Sequence, residues 1–261
     1  MNFSRIQAMI LRYTYSMRHS FDRLSDMVYW PAMDLFMWGL TGLYFVNIIS
    51  NSSHLLFMLI SGLVFWIVVW RTQYEITTNL LSEIWDKNLV NLFASPLTVS
   101  EWIVSFMIFG LIKTTISLTF SAVVAFLLYK LNIFLYGFYL IPLIASLILT
   151  GWATGFFVAG LLIRYGNTIS TLAWAGVYLI APFSGIYYPI SILPEWAQKI
   201  SAFVPSSYVF EGLREILFTG KLPYDKLLLS FGLNIVYLGI GIWFFVFMFN
   251  KSKRLGLGRL I

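Results

Sequence analysis

Apolar and polar residues fall along this chain in long blocks, not in alternation. Runs of about 20 residues with few or no charges recur, the length of α-helix that a bilayer core of about 30 Å requires. They predict six spans, at 27–48, 55–78, 102–129, 137–163, 168–188 and 227–249. Membrane-crossing strands would leave alternating segments of about ten residues, and none occur. The expected fold is an all-α integral membrane protein, one domain over 1–261.

Three further segments have helical periodicity but also a polar side. Over 1–25, Phe3, Ile6, Ile10, Tyr13, Met17, Phe21 and Leu24 share one face, with Arg5, Arg12, His19 and Arg23 roughly opposite. That pattern predicts a helix lying in the membrane interface with its arginines toward headgroups; it equally fits a helix packed on a partner protein. Over 80–95, Leu81, Ile84, Trp85, Leu89 and Leu92 form an apolar face against Glu83, Asp86 and Lys87, and Pro96 ends the helix. Periodicity alone leaves this either a docking helix or an ordinary interfacial loop helix.

The third segment, 189–217, lies between two long apolar runs. Pro194 and Pro205 divide it into two short helices, with Trp196, Ile200 and Phe203 on one and Phe210, Leu213 and Leu217 on the other. Ser206 and Ser207 are candidate caps for the second. Helices too short to span and too apolar to float predict a re-entrant hairpin, with a plain loop helix as the alternative.

Charge orients the six spans. Both termini fall on one side, where Arg5, Arg12, Arg18, Arg23, Arg71, Lys87, Arg164, Lys251, Lys253, Arg254 and Arg259 gather, against Lys130, Lys199, Arg214, Lys221 and Lys226 on the other. The loop at 49–54 has no basic residue. By the positive-inside tendency both termini are cytoplasmic in an inner or plasma membrane, and 189–226 is external. The first apolar run begins near Met27, too late for a secretory signal, so no cleavage is expected.

Composition agrees: 59% of residues are hydrophobic and 11% charged, where a soluble domain carries about 25% charged, and mean hydropathy is +0.82. The net charge of +6 reads as topology and contact with anionic membrane lipids, with no nucleic-acid partner. The chain has no cysteine, which excludes disulfides and thiolate metal sites. His19 and His54 lie far apart in loop or interfacial positions, so no histidine relay or metal site is supported. No phosphate-cradling glycine loop occurs, and no cofactor is expected in the chain itself.

Charges inside spans point to function by default. Lys113 in the third span and Asp34 in the first are candidates to line a polar pathway or to pair with each other; snorkelling is the alternative for Asp34. The aromatics Tyr29, Trp30, Trp38, Tyr187 and Tyr188 suit either interfacial belts or a pathway for sugars and amphiphiles. Gly151, Gly155 and Gly160 offer surfaces for close helix approach.

The order of these parts resembles the permeases of ATP-binding-cassette type-2 exporters over essentially the whole chain. The most specific piece is Gly185-Ile186-Tyr187-Tyr188-Pro189 through Leu193-Pro194, Trp196, Pro205, Tyr208, Glu211, Gly212 and Arg214, similar to that family's pattern before its last span. Val204-Pro205 stands where many members have Asn-Pro.

The resemblance implies a half-transporter: two copies, each engaging a cytosolic ATPase that carries the ATP and magnesium. Glu83, Trp85, Asp86, Lys87 and Phe93 would meet the ATPase. Pro189, Pro194, Trp196, Pro205, Tyr208, Glu211 and Arg214 would form an external gate, with Glu211 paired to Arg214. Similar short permeases export polysaccharides or lipid-linked glycans, others drugs, lipids or small amphiphiles, and the aromatic load tilts the reading toward glycans. A non-ATPase channel or structural subunit is a further alternative. A lipid-modifying enzyme would need clustered carboxylates or histidines, and the eleven acidic residues are scattered.

Overall fold

A computed structural model describes residues 1–48 and 53–256, and the side chains of these except 47, 48 and 53–55. Residues 49–52 of the loop read at 49–54, the His54 side chain and Arg259 therefore lie outside the description, while 53 and 54 already belong to a helix. All regular structure among the described residues is helical.

The chain opens with α1 (Phe3–Arg18), an interfacial-length helix capped by the Asn2 side chain, and continues into α2 (Phe21–Ile48). Next comes α3 (Ser53–Trp85), whose 33 residues reach about 50 Å at 1.5 Å per residue. A short α4 (Leu89–Ala94) then leads to α5 (Val99–Tyr129), started by a Thr98–Glu101 capping box. A 3₁₀ stretch at Ile133–Tyr139 turns the chain into α6 (Leu140–Tyr165).

Among the described residues four helical stretches are long and apolar enough to cross a membrane: Leu56–Trp85, Val99–Tyr129, Ile133–Ile169 and Tyr224–Arg254. The first expected span falls in α2, which has the length, 28 residues, but not the hydropathy, because Pro31, Asp34 and its Tyr and Trp residues dilute it. The fifth, 168–188, is not one α-helix. Gly166–Ile169 is 3₁₀, α7 (Leu172–Ala175) is one turn, and Gly176–Leu179 and Ala181–Phe183 are 3₁₀ again. Gly176 and Pro182 break the α register there. The looser rise of a 3₁₀ helix, about 2.0 Å per residue, stretches this segment beyond its α-helical reach.

After Pro194 come α8 (Glu195–Ser201) and α9 (Pro205–Thr219), then α10 (Tyr224–Arg254). Pro205 occupies the first position of α9, where its missing N–H is no loss. Ser206 and Ser207 do not cap α9 but sit in its first turn, Ser206 Oγ against Ser184 Oγ and Ser207 Oγ donating to the Ser201 and Val204 carbonyls.

Helix α3 is the axis of the bundle, lying against α2, α5 and α6, while α6 lies along α10. Glycine permits the closest approaches. A Cβ on Gly151 would collide with Thr72 of α3, and one on Gly241 of α10 would lie 2.8 Å from the Ala153 carbonyl of α6. Among the described residues the core has three buried clusters: around Trp102, Phe106 and Phe245 at the α1 end, around Phe65, Phe210 and Leu213 at the α8–α9 end, and around Leu35, Ile60 and Tyr129 between α2, α3 and α5.

Two sequence expectations change with this architecture. Arg71, counted with the loop charges, lies inside the continuous α3 and is fully buried. The helix expected over 80–95 is two helices, because α3 runs through to Trp85 and stops in a left-handed turn. The Asn88 N–H bonds the Glu83 carbonyl and the Lys87 N–H the Ile84 carbonyl, with Lys87 at φ +53°. This is the paired 6→1 and 5→2 closure usually built on glycine.

Candidate functional site at the two ends of the bundle

At the α1 end, the residues expected to meet a partner separate into two groups. Trp85 is 53% exposed, its Nε1 donating to Asn167 Oδ1 at 2.9 Å, and Asp86 and Lys87 are exposed in the turn. Val90 and Asn91 of α4 join them on the surface. Helical periodicity already puts both on the side of Asp86 and Lys87, but being uncharged they carry no signal of a polar face. Glu83 and Phe93 face inward. Glu83 is 2% exposed and accepts from Arg12 Nη2 and Asn88 Nδ2, both at 2.9 Å. Phe93 packs on Phe249 of α10 and Trp102 of α5, with ring centroids 4.6 and 5.1 Å away.

Helix α1 holds this surface from behind. Its Ile6, Met9 and Tyr13 are buried, leaving Phe3 and Phe21 of the expected lipid face exposed. Arg5 and Arg12, expected toward headgroups, instead reach protein groups. Arg12 takes Glu83 at the end of α3. Arg5 Nη1 donates to the Pro96 carbonyl at 2.6 Å and lies 3.6 Å from Glu101, whose Oε1 also accepts the Asn2 N–H. Arg23 donates to Ser16 Oγ. Tyr13 Oη accepts from Trp102 Nε1 at 2.9 Å. Burial, and after it the Glu83 carboxylate, push the Tyr13 phenol above its ordinary range, keeping it neutral. One helix thus ties both legs of the turn from 86 to 98.

Beyond the middle of α3 the bundle buries Arg71, Glu75 and Lys113 and half-buries Asp26 beside them. Arg71 Nη1 lies 2.8 Å from Asp26 Oδ1 and 3.3 Å from Glu75 Oε1; Lys113 Nζ lies 2.6 Å from Glu75 and 4.0 Å from Asp26. Arg71 Nη2 also donates to the Asp26 carbonyl, and Asn79 donates to Glu75. Two cations and two carboxylates balance, the condition under which ions tolerate burial. Lys113 therefore pairs with Glu75 and Asp26, not with Asp34, and its ammonium lies between α2, α3 and α5.

Polar groups of α3 and α5 also serve backbone that irregular neighbours leave free. Pro31 in α2 has no N–H for the Met27 carbonyl four residues earlier. Ser117 Oγ of α5 donates to that carbonyl at 3.0 Å. The Ala173 carbonyl of the broken segment accepts from Gln73 Nε2 at 3.0 Å and from Thr77 Oγ1. Inside a bilayer such groups must find protein partners.

At the α8–α9 end, Arg214 is the organising residue. Its Nη1 lies 3.0 Å from Glu211 Oε1, and its Nη2 donates to the carbonyls of Gly185 and, at 2.8 Å, Tyr188. Glu211 Oε1 also accepts the Ile190 N–H at 2.8 Å. The pair thereby fastens α9 to the 185–190 turn that carries Pro189, where Gly185 has φ +71°. Tyr208 Oη donates to the Ala202 carbonyl across the Pro205 break. Trp196 stays 63% exposed beside Phe183, with Ile192 and Phe203 also exposed, and Pro194 starts α8.

Of the aromatic candidates, Trp38 of α2 and Tyr187 meet as a stacked pair with centroids 4.8 Å apart. Tyr29 and Trp30 form an edge contact on the exposed face of α2, and Tyr188 Oη donates to the Pro182 carbonyl. Exposed Tyr29, Met33, Met37, Leu40 and Tyr44 continue that face along α2.

Comparison with known families supplies the assignment. No match was found among curated proteins. A family model described as "ABC-2 type transporter" matches residues 13–218, from the middle of α1 through the α8–α9 hairpin, and so includes the exposed turn, the buried charges and the Arg214 anchor. The chain belongs to the ABC-2 type transporter family, as a multi-pass membrane permease.

Proposed function

We propose that this permease forms, as a homodimer, the translocation pathway of an ATP-driven exporter whose two cytosolic ATPase subunits carry the ATP and magnesium. The ATPase docks on the turn after α3, at Trp85, Asp86, Lys87, Val90 and Asn91. The supporting observation is the exposure of these side chains on a turn fixed at both legs by α1, so that a push on it moves α3 and α5 together. In this reading the chain crosses the membrane six times: α2 and the stretched segment 166–183 join the four apolar helices. Both termini are then cytoplasmic and the α8–α9 hairpin is external.

The substrate class we favour is a polysaccharide or lipid-linked glycan. Its support is the exposed aromatics of α2, Tyr29, Trp30, Phe36 and Tyr44, with Tyr187 stacked on Trp38 at the other side of the helix, since ring faces stack on sugar C–H surfaces. That same face serves the pairing of two copies. Small amphiphiles are the second reading, favoured by the scarcity of charge on the α2 face.

Purification should bring down an ATP-binding-cassette ATPase whose hydrolysis the permease stimulates. Combined Asp86→Lys and Lys87→Glu should abolish that stimulation while leaving the permease folded; unchanged activity would reject the docking assignment. A cysteine at Lys199, in a chain that has no other, should react with an impermeant maleimide in intact cells. Labelling only after lysis would reverse the topology.

A further inference from the structure

Where α3, the 3₁₀ stretch at Ile133–Tyr139 and α9 meet, a cavity of about 10 Å³ is lined by Ser61, Tyr136 and Arg214, with Met58, Phe210 and Leu213 closing it. Ser61 Oγ and Tyr136 Oη are both buried and lie near one another, yet neither makes a hydrogen bond of good geometry to the other or to the rest of the protein, on residues that are each 1% exposed. Beside them Gly62 lies so close to the Ile186 carbonyl that any side chain there would collide. The backbone of α3 and the 185–188 turn thus wall the space on one side, and Arg214, a residue 8% exposed, on another.

Unpaired hydroxyls at this depth are costly, about 1–3 kcal/mol each. A space near 10–15 Å³ with two to four polar groups is the minimum that holds one water. We propose that a single structural water is bound here, linking Ser61 Oγ, Tyr136 Oη and the guanidinium of Arg214. Each hydroxyl can donate or accept, and the guanidinium supplies only donors. The water can therefore accept from Arg214 and Tyr136 while donating to Ser61. The site is too small for any larger ligand. It joins the hairpin's anchoring arginine to the central helix through an exchangeable partner, whereas the arginine's links to the Gly185 and Tyr188 carbonyls are direct. The inference stands independently of the exporter reading.

X-ray hydroxyl-radical footprinting tests it on the unmodified protein in lipid nanodiscs, because radiolysis of a bound water oxidises the buried side chain beside it. Tyr136 should be modified several-fold faster than Tyr13, which is equally buried but hydrogen-bonded to Trp102. Equal rates overturn the proposal. Ser61→Val puts methyl groups in the space and should bring the Tyr136 rate down to that of Tyr13; a persistently fast rate in the folded variant would also overturn it. If Ser61→Val fails to fold, a map that resolves waters gives the second measurement. A peak within hydrogen-bond distance of both hydroxyls supports the site, and a direct Ser61–Tyr136 bond with no peak refutes it.

Discussion

The link between Pro31 and Ser117 allows a quantitative test of how this bundle tolerates a proline in α2. Ser117 is fully buried, and its hydroxyl donates at 3.0 Å to the Met27 carbonyl, the acceptor that an N–H at position 31 would otherwise satisfy. Ser117→Ala therefore removes the donor and strands a buried carbonyl. In a water-soluble core that loss is about 1–3 kcal/mol. Helix–helix hydrogen bonds in bilayers average nearer 0.6 kcal/mol with a maximum of about 1.7, because the unfolded reference finds other partners. The bilayer range applies here, raised by the absence of an alternative donor, and sets the expected cost at about 1–1.5 kcal/mol.

The same substitution made on Pro31→Ala has a different consequence. Alanine restores the N–H, the helix closes its own bond to Met27, and Ser117 becomes redundant. Ser117→Ala should then cost only a few tenths of a kcal/mol, leaving a coupling energy of about 1 kcal/mol between the sites. Reversible unfolding in mixed detergent–lipid micelles, read for both single variants and the double variant, measures the cycle. Equal losses from Ser117→Ala in both backgrounds would refute the reasoning, since the hydroxyl would then not be replacing the proline's missing donor.

The remaining expectations concern the charges. Arg12→Glu should lower stability by about 1 kcal/mol, the modest figure appropriate to a pair whose arginine is partly exposed, and Glu83→Arg in the same chain should restore most of it; failure of the swap in thermal-shift measurements would mean α1 is held by its apolar face alone. Glu75→Gln leaves two buried cations facing one carboxylate and should cost about 3–5 kcal/mol, whereas joint Glu75→Leu and Lys113→Met leaves Arg71 with Asp26 and should recover most of the loss; a double variant as unstable as Glu75→Gln would contradict a balanced quartet. Lys87→Gly should relieve the left-handed backbone by about 1 kcal/mol while reducing ATPase stimulation, which separates the role of its charge from that of its conformation; undiminished stimulation would remove Lys87 from the docking surface.

Hydropathy alone located α3, α5, α6 and α10, because a long uncharged run in lipid has only one helical solution. It did not find the interruption in 166–183. The residues there are as apolar as those of any span, and what breaks the α register is Gly176, Pro182 and a pair of side chains from α3, a hundred residues earlier in sequence. The outward direction of Asp86 and Lys87 is legible from the wheel, but the wheel puts Trp85 on the apolar face and Glu83 on the polar one, the reverse of their burial, because it cannot see Arg12 covering Glu83; Phe93 is placed at the surface only by the family resemblance. A lysine in a left-handed turn gives no local signal comparable to glycine's. The amphipathic face of α1 was correctly periodic. Periodicity, however, cannot tell lipid from protein as the apolar partner, and the acidic groups that take Arg5 and Arg12 lie some 70 to 100 residues away.

The rule that polar residues within a span mark a pathway also acquires a limit in this fold. From Arg71 to Glu83, α3 carries Arg71, Thr72, Gln73, Glu75, Thr77, Asn79, Ser82 and Glu83, all buried. Several of these act on backbone or charges of neighbouring helices: Arg71 on Asp26 of α2, Gln73 and Thr77 on the Ala173 carbonyl, Glu83 on Arg12 of α1. A straight central helix with a polar half therefore lets the helices around it be kinked or stretched without stranding hydrogen bonds in lipid. Such bonds can be exchanged as neighbours shift, which apolar packing of similar strength does not permit without opening a void. A transporter that must change shape while remaining sealed needs that property. The charged middle of α3 is accordingly best understood as a set of polar partners held in common by the helices around it, which accounts for its polar residues without a solute in contact with them.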